Sequence, residues 1–296
     1  MAMIEKFLDY LRYERNCSVL TVSSYGADLR AFASYFKTLD AHLSWTTVDA
    51  DVIRDWMESM IDRGNTASSV DRRLSAVRSL YRFALSRGLI DTDPAVGIVG
   101  PKREKLLPVF LNSAQMDTLL DYVMAETHCY QDVLARTIIM TFYETGIRLS
   151  ELVGLDDTSV DVISKFLKVL GKGRKERIVP FGDELATALQ TYKETRDETY
   201  PQRPDTAFFA GRKGERVKTS EVRRIVQRCL SAVSTQKKKS PHVLRHTFAT
   251  AMLNNGAEIE SVRRLLGHES LSTTEIYTHT TSEQLKRVYN EAHPRA

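Results

Sequence analysis

Two residues that can bind an anionic oxygen lie three positions apart at the start of a predicted helix. Ser240 and Pro241 are typical of a helix start, because Ser caps free amide groups and Pro is tolerated in the first turn. His242 and Arg245 then share one face, and both can donate hydrogen bonds to an oxyanion. Taken alone, such a pair is usually an exposed helix surface. A metal site at His242 and His246 would need a third ligand, and this helix has no acid at the right spacing.

A histidine and a tyrosine follow in the same stretch of chain. Residues 258–266 form a second predicted helix, which Gly267 ends. His268 follows at once, where a turn can direct its imidazole into a pocket. A further short helix is predicted to carry Tyr277, whose hydroxyl is a nucleophile once a base activates it. A tyrosine in this setting is usually a packed aromatic, so the ordered set of residues is more informative than any one member.

Two more basic residues lie upstream in settings that can position them. Arg148 follows an apolar helix and begins a new one. Glu151, three residues later, can hold its guanidinium or pair with another basic group. Residues 166–170 and 176–180 are predicted to form two strands joined by the turn GKGRK. Because glycines allow that turn to be tight, we expect a hairpin with Lys172 at its tip.

The ordered set resembles the active site of the tyrosine recombinases, and its six members are Arg148, Lys172, His242, Arg245, His268 and Tyr277. The motifs that carry the resemblance read TGIRLSEL, GKGRKER, PHVLRHTFAT and LLGHESLSTTEIYTH. The resemblance extends over nearly the whole chain. Within that family the chain is most similar to the Xer recombinases, which are compact two-domain proteins; here the chain ends in a short helix and the residues His293-Pro294-Arg295.

The resemblance implies a phosphoryl transfer on DNA in which Tyr277 attacks and forms a 3′-phosphotyrosyl ester. Both arginines of the set would donate to the non-bridging oxygens, with both histidines as further donors. Lys172 is the candidate general acid for the departing 5′ oxygen, and His242 is the candidate to accept the tyrosine proton. Glu151 is expected to support the site. No cofactor is expected, because the ester stores the bond energy, and no metal is expected, because no residue pattern in the sequence calls for one.

The same resemblance implies a mainly α fold with a small β-sheet, in two domains that form a clamp around DNA. Residues 1–90 are the expected helical core-binding (SAM-like) domain, 91–108 a linker, and 109–296 a mixed, mostly helical catalytic domain with a C-terminal exchange helix. The implied function is site-specific recombination through a Holliday junction, resolving chromosome or plasmid dimers during chromosome partition and cell division. The implied partners are a double-stranded DNA recombination site, a homo- or hetero-tetramer of recombinases and a septal DNA translocase.

Three other functions remain open on the sequence. An integrase or transposase of a mobile genetic element shares every residue discussed, although the lack of an additional arm-binding domain favours the Xer type. A type IB topoisomerase shares the chemistry but needs no second DNA site. A DNA-binding protein without enzymatic activity would have no use for a tyrosine placed after His268.

Length and composition agree with a two-domain globular protein. The 296 residues suffice for about two domains, and 42% hydrophobic and 27% charged residues are ordinary proportions. No apolar run approaches the roughly 20 residues of a membrane span, and residues 1–9 carry acids where a signal peptide is basic. We therefore expect a cytoplasmic protein with no membrane partner.

Cys17, Cys129 and Cys229 lie far apart, which favours reduced thiols over a cysteine metal site.

Apolar periodicity predicts four amphipathic helices in the N-terminal domain, at residues 4–15, 18–36, 49–62 and 67–86, with Ser18 or Thr21 as the start of the second. Prolines and glycines are concentrated in residues 91–108, which predicts a linker with little order of its own.

The second domain is predicted to be mostly helical, with helices at residues 184–191 and 219–231 in addition to those above. A last helix is predicted at residues 282–290, with Leu285 and Val288 as its only clear apolar residues. So small an apolar face is too little for a free helix, so we expect it to fold back on its own domain or to dock on a neighbouring copy.

The net charge of +4 is too small to identify a nucleic-acid binder, but its distribution is uneven. Basic residues exceed acidic ones only after residue 100. Any one basic cluster is explained equally well by a solvated surface, whereas several beside a phosphate site favour DNA backbone contacts. The candidate DNA-binding residues are Arg72, Arg73, Arg78, Lys102, Arg103, Lys105, Arg174, Lys175, Arg223, Lys237, Lys238 and Lys239.

Overall fold

The computed structural model describes residues 2–102, 109–125, 129–171, 175–236, 238–267 and 279–295, with side chains omitted for residues 279–284. The chain divides into two compact units, Met1–Leu106 and Leu107–Ala296. Within the described ranges, no helix is both long enough and apolar enough to cross a membrane. The predicted class, mainly α with a small β-sheet, is confirmed.

The first unit contains the four predicted helices: α1 (Ala2–Asp9, continued by a π-helical turn), α2 (Val19–Leu39), α3 (Ala50–Asp62) and α4 (Ala67–Ser86). Polar side chains begin three of them. Ser18, Asp49 and Thr66 each accept a hydrogen bond from the backbone amide three residues later, which satisfies an otherwise free donor of the first turn. The sequence pattern and the structure agree on these helices because both local caps and apolar spacing specify them.

Part of the predicted linker is built into the core of the first unit. Ala95 and Ile98 are almost fully buried there. Arg78 of α4 donates a hydrogen bond to the backbone carbonyl of Ile98, which ties this segment to the helix. The expectation that the segment lacks order is therefore wrong for residues 95–98, because two apolar side chains among its glycines and prolines complete the helical core. The exact domain boundary stays a prediction.

The second unit contains eight α-helices among its described residues, arranged around a large apolar core and a smaller apolar cluster that the last three helices share. They are α5 (Ser113–Ala125), α6 (Tyr130–Thr145), α7 (Leu149–Val153), α8 (Asp183–Thr199), α9 (Thr219–Val233), α10 (Pro241–Asn254), α11 (Ile259–Leu266) and α12 (His279–Ala292). Helix α6 is central, because most of its residues are buried and it contacts α5, α8, α9 and α10. Helix α8 continues eight residues past the predicted end at residue 191.

A three-stranded antiparallel sheet interrupts these helices in the order β1 (Val160–Asp161), β2 (Phe166–Leu170) and β3 (Glu176–Pro180). The two predicted strands are confirmed with the same bounds. Strand β1 was not predicted, because a strand of two residues is too short to show an apolar period. In the β2–β3 register Leu167 lies opposite Val179, and Val169 lies opposite Arg177. Side chains of a strand alternate between faces, so Arg177 lies on the core-facing side with Val179.

In this single chain the terminal helix α12 packs on its own domain. Its buried anchors are Tyr289 and Ala292, whereas the predicted anchors Leu285 and Val288 are only partly buried. The Tyr289 ring stacks on His293 with centroids 4.9 Å apart, and its hydroxyl lies 3.5 Å from Glu144. The sequence analysis did not predict Tyr289 as an anchor, because its burial depends on contact with Glu144, which lies 145 residues earlier in the same chain.

The contacts under α12 are uncharged near neutral pH. Burial raises the pKa of Glu144 to about 8, which favours its protonated form. Burial likewise lowers the pKa of His293 to about 4 and favours the neutral imidazole. The helix is therefore held mainly by packing and by polar contacts of neutral groups, which include a 2.9 Å hydrogen bond from Asn255 to the carbonyl of Ala292. Just beyond the helix, Arg295 forms an ion pair with Glu184.

A left-handed glycine between α6 and α7 brings the ends of several helices together. Gly146 has φ +59° and its amide donates to the carbonyl of Phe142 over 3.0 Å. The Phe248 ring of α10 fills the space that a Cβ at Gly146 would occupy, and Leu266 of α11 lies beside it. Only glycine meets both requirements at this position.

We predict that Gly146→Ala lowers the free energy of unfolding by about 2–4 kcal/mol, since it adds a strained φ to an overlap with Phe248. The matched control is Gly256→Ala. Gly256 has φ +88°, but a Cβ added there would meet no atom within 4 Å, so only a backbone cost of about 1 kcal/mol is expected. Urea denaturation of both variants measures the difference, and equal losses would contradict the close packing of Phe248.

Candidate active site

Arg148 is held at the start of α7 by Glu151. The backbone amide of Arg148 donates to Glu151 Oε2 over 2.7 Å, and its Nη1 donates to Oε1 over 2.8 Å. Its Nη2 donates to the carbonyl oxygen of Gly267 over 2.8 Å. The side chain keeps 34% of its surface exposed, so the guanidinium is anchored and can still reach a ligand.

Arg245 enters the same site from α10 and is only 7% exposed. Its Nη1 donates to the carbonyl of Gly146 over 2.6 Å and its Nη2 to that of Leu266 over 2.7 Å. Burial, followed by the charges of Arg148 and Arg177, lowers the pKa of Arg245 to about 10. The group remains positively charged at neutral pH, and its surroundings favour the arrival of an anion.

Arg177 of β3 is a third guanidinium at the site, and the sequence analysis did not select it. Its Nη1 and Nη2 donate to Oε1 and Oε2 of Glu151, each over 2.8 Å. Its Nε donates to the carbonyl of Leu265 over 3.0 Å. A signal existed in the sequence, because strand alternation places Arg177 on the core face with Val179, where a charged residue requires a partner.

One carboxylate therefore lies among three guanidiniums. Burial by itself raises the pKa of Glu151, but hydrogen bonds from Arg177 and Arg148, with the charge of Arg177, lower it to about 2. Three positive charges face one negative charge, which leaves the cluster with an excess of two. Such an excess beside a partly exposed guanidinium suits a phosphodiester oxygen, which arginine binds in a forked geometry.

The structure describes three of the six predicted catalytic residues. Arg148 and Arg245 meet at the cluster, and His242 is exposed on α10, three residues before Arg245. Lys172, His268 and Tyr277 lie outside the described residues. Their neighbours in the sequence are described: Gly171 closes the hairpin with a 2.8 Å hydrogen bond to the carbonyl of Lys175, Gly267 ends α11, and α12 begins at His279.

Three arginines of α4 that were predicted to bind DNA also make contacts within the first unit. Arg72 donates to both carboxylate oxygens of Asp28, and Arg73 Nε lies 3.7 Å from that carboxylate. Arg78 donates to the carbonyl of Ile98. Because Asp28 is buried, Arg72 and Arg73 supply the charges that it needs. This structural role was not predicted, and contact with DNA stays a prediction.

The remaining candidate DNA contacts are divided between exposed and undescribed positions. Lys102, Lys175, Arg223 and Lys238 are exposed, and Lys239 is half-buried. Arg103, Lys105, Arg174 and Lys237 lie outside the described residues. Within the part of the chain that is described, no group of three His, Cys, Asp or Glu side chains is placed to hold a metal ion.

Two family models match the chain. The model described as "Phage integrase family" matches residues 109–284, and "Phage integrase, N-terminal SAM-like domain" matches residues 4–88. The chain belongs to the phage integrase family. Tyrosine recombinase XerC of Chlorobaculum tepidum is 37% identical over 98% of this chain and 94% of the relative. Tyrosine recombinase XerD of Staphylococcus epidermidis is 35% identical over 99% of both chains.

Solved structures show that the fold is that of the integrase family. The XerH site-specific recombinase bound to a palindromic difH substrate aligns with a TM-score of 0.73 at 21% identity, over 96% of this chain and 83% of that one. The Tn1549 transposon integrase in complex with circular intermediate DNA aligns with a TM-score of 0.72 at 17% identity, over 95% of this chain and 98% of that one.

We predict that Glu151 makes stability fall in acid. Its folded-state pKa is depressed from 4.5 to about 2, so its contribution is present above the unfolded pKa and is lost as the pH falls through that range. The loss amounts to about 3 kcal/mol between about pH 5 and pH 2. Glu151→Gln has no carboxyl group at this position, so this pH-dependent part of the stability is absent from it. Urea denaturation of both proteins across that range measures it, and a difference between them that does not change with pH would contradict the prediction.

Proposed function

We propose that this chain is a site-specific DNA recombinase of the Xer type that cuts and rejoins double-stranded DNA through a 3′-phosphotyrosyl intermediate and a Holliday junction. The observation that carries the proposal is the meeting of Arg148 and Arg245 around one carboxylate at the end of α11. Membership of the phage integrase family, with XerC and XerD relatives along nearly the full chain, supports it.

The phosphate is bound by the two anchored arginines. A phosphodiester gains negative charge on its non-bridging oxygens as it approaches a five-coordinate transition state. Some N–H groups of Arg148 and Arg245 already donate hydrogen bonds to Glu151 and to backbone carbonyls. Because these bonds hold both guanidiniums in place, the side chains need to move little when the substrate binds. His242 and His268 are further donors in this proposal.

Tyr277 attacks the phosphorus, the bond to the 5′ oxygen breaks, and the enzyme becomes joined to the 3′ phosphate. His242 accepts the tyrosine proton, and Lys172 gives a proton to the departing 5′ oxygen. Attack by the 5′ hydroxyl of a different strand reverses these steps and seals the DNA in a new connection. Since each ester exchange conserves one phosphodiester-type bond, the reaction needs no nucleotide cofactor to supply energy.

The proposed biological role is the resolution of chromosome or plasmid dimers in the cytoplasm, during chromosome partition and cell division. Exchange of two strand pairs requires four active sites, which a homo- or hetero-tetramer of recombinases on the DNA site would supply. A septal DNA translocase is the further partner of this proposal. The support for the Xer assignment is that the curated relatives matched over 94–99% of their own length are XerC and XerD.

The terminal helix α12 is the proposed exchange element between the four copies. Its attachment to its own domain includes a few apolar side chains, among them Tyr289, a weak polar contact to Glu144 and a hydrogen bond from Asn255, with the Arg295–Glu184 ion pair just beyond it. Such an attachment can be replaced by an equal one on a neighbour at little cost, as in domain swapping. Because α12 begins two residues after Tyr277, moving it would move the nucleophile.

We predict that Tyr277→Phe abolishes covalent attachment to DNA and leaves DNA affinity nearly unchanged, since only the hydroxyl is needed for attack. A duplex nicked near the cut site traps the covalent complex, which a denaturing gel reveals. Tyr200→Phe is the matched control, because it removes only a hydrogen bond to the carbonyl of Arg212, and it should react as the wild type does. A covalent band from Tyr277→Phe would refute the assignment of the nucleophile.

We predict that Lys172→Ala reacts slowly on ordinary DNA and recovers on DNA with a 5′-bridging phosphorothiolate, because sulfur departs without a proton. Lys175→Ala tests the other lysine of the GKGRK turn and should weaken binding without such recovery. Single-turnover rates on both substrates make the comparison. If Lys172→Ala gains nothing from sulfur, Lys172 only binds the DNA.

A further inference from the structure

Each of the three guanidinium nitrogens of Arg177 donates a hydrogen bond to a protein group. Both of its terminal nitrogens donate to the two oxygens of Glu151, and its Nε donates to the carbonyl of Leu265. The side chain is 16% exposed, half the value for Arg148. Arg177 therefore differs from Arg148, because three of its guanidinium nitrogens donate to the protein where two of those of Arg148 do, and less of its side chain is exposed.

The three arginines bind three consecutive carbonyls at the end of α11. Arg177 binds that of Leu265, Arg245 that of Leu266 and Arg148 that of Gly267, over 2.7–3.0 Å. The last carbonyls of a helix have no partner inside it and carry partial negative charge, so cationic donors suit them. The three contacts fix the point at which the chain leaves α11 towards residue 268.

Gly267 shows how closely Arg177 approaches this point. It has φ +64°, and a Cβ there would lie 2.9 Å from Arg177 Nη1 and 3.0 Å from its Cζ. Glycine at this position thus satisfies both the left-handed backbone and the contact with the guanidinium. The backbone of Arg177 lies in β3, and its side chain is held by Glu151 and by the end of α11.

Glu151 depends on Arg177 for its charge and its orientation. Arg177 holds the carboxylate with a two-pronged contact, whereas Arg148 contributes one guanidinium nitrogen and a backbone amide. The charged groups that face Glu151 are Arg148 before α7, Arg177 on β3 and Arg245 on α10. Without Arg177, burial would favour protonation of Glu151, and a protonated carboxyl holds a guanidinium less firmly.

We propose that Arg177 is a positioning residue for the reaction: it acts through Glu151 and the end of α11 to hold Arg148 and Arg245 in the geometry that binds the phosphate. This inference rests on the proposed recombinase function. It assigns Arg177 no contact with DNA and no proton transfer. Its effect is on the rate of covalent complex formation with bound DNA, and not on DNA affinity.

The test compares Arg177→Gln and Arg177→Lys with the wild type in single-turnover formation of the covalent complex on the nicked duplex, at saturating DNA. We expect Arg177→Gln to be slower by about 10- to 100-fold, as a small misplacement of binding groups produces, with half-site affinity unchanged. Arg177→Lys keeps the charge and one contact to Glu151 but not the fork, so its rate should be intermediate. Rates are expressed per folded molecule, measured by circular dichroism.

The pH profile and the leaving group provide readouts that a loss of stability would not change. In Arg177→Gln the rate should begin to fall at a higher pH on the acid side, because Glu151 then protonates more readily, and Arg177→Lys should restore the wild-type profile. The 5′-bridging phosphorothiolate should give no recovery of Arg177→Gln. Full recovery with sulfur would mean that Arg177 acts through Lys172, and it would overturn the proposal.

Arg203→Gln is the matched control. Arg203 is 14% exposed and binds Asp157 and the carbonyl of Ala207, in a separate ion-pair network of the same domain. It should lose stability but keep the wild-type rate and pH profile.

A wild-type rate and profile in Arg177→Gln would refute the inference. If Arg177→Gln does not fold, an unchanged rate in Arg177→Lys refutes it instead. Absence of a covalent complex with wild-type protein would refute the recombinase function itself.

Discussion

The buried carboxylate of Glu151 is the interaction on which the site depends. A carboxylate with 3% of its side chain exposed is stable in its charged form only when cationic donors surround it. Arg148 and Arg177 supply those donors from two different elements, and the charge of Arg245 lies nearby. The helix α7, the strand β3 and the helix α10 are thereby tied to one point, and their meeting creates the excess positive charge that a phosphodiester requires.

The end of α11 is the second partner of this charge cluster. Its carbonyls need hydrogen-bond donors, and the arginines need acceptors that do not cancel their charge. Neutral carbonyls satisfy both conditions, whereas additional carboxylates would neutralise the site. This explains how Arg245, buried in the domain, remains cationic and available to an anion.

The attachment of α12 contrasts with the charge cluster. Glu144 and His293 under α12 are shifted by burial towards their neutral forms, so that interface relies on packing around Tyr289. Charged contacts, forked at Arg177, keep the arginines around Glu151 in place, while packing and mostly neutral polar contacts attach α12. The domain thus combines a firmly held charge cluster with a terminal helix that is attached mainly by packing, which suits the exchange proposed for it.

The sequence by itself determined the four helices of the first unit, the β2–β3 hairpin and the candidate catalytic set, because caps, apolar periods and motif order are local signals. It also predicted that Glu151 holds Arg148, since a spacing of three places both on one turn. Only the tertiary structure decided that Arg177 shares Glu151, that Ile98 joins the helical core and that Tyr289 anchors α12. Each of these contacts joins residues 20 or more positions apart, and burial in a common core selects them, which no local pattern encodes.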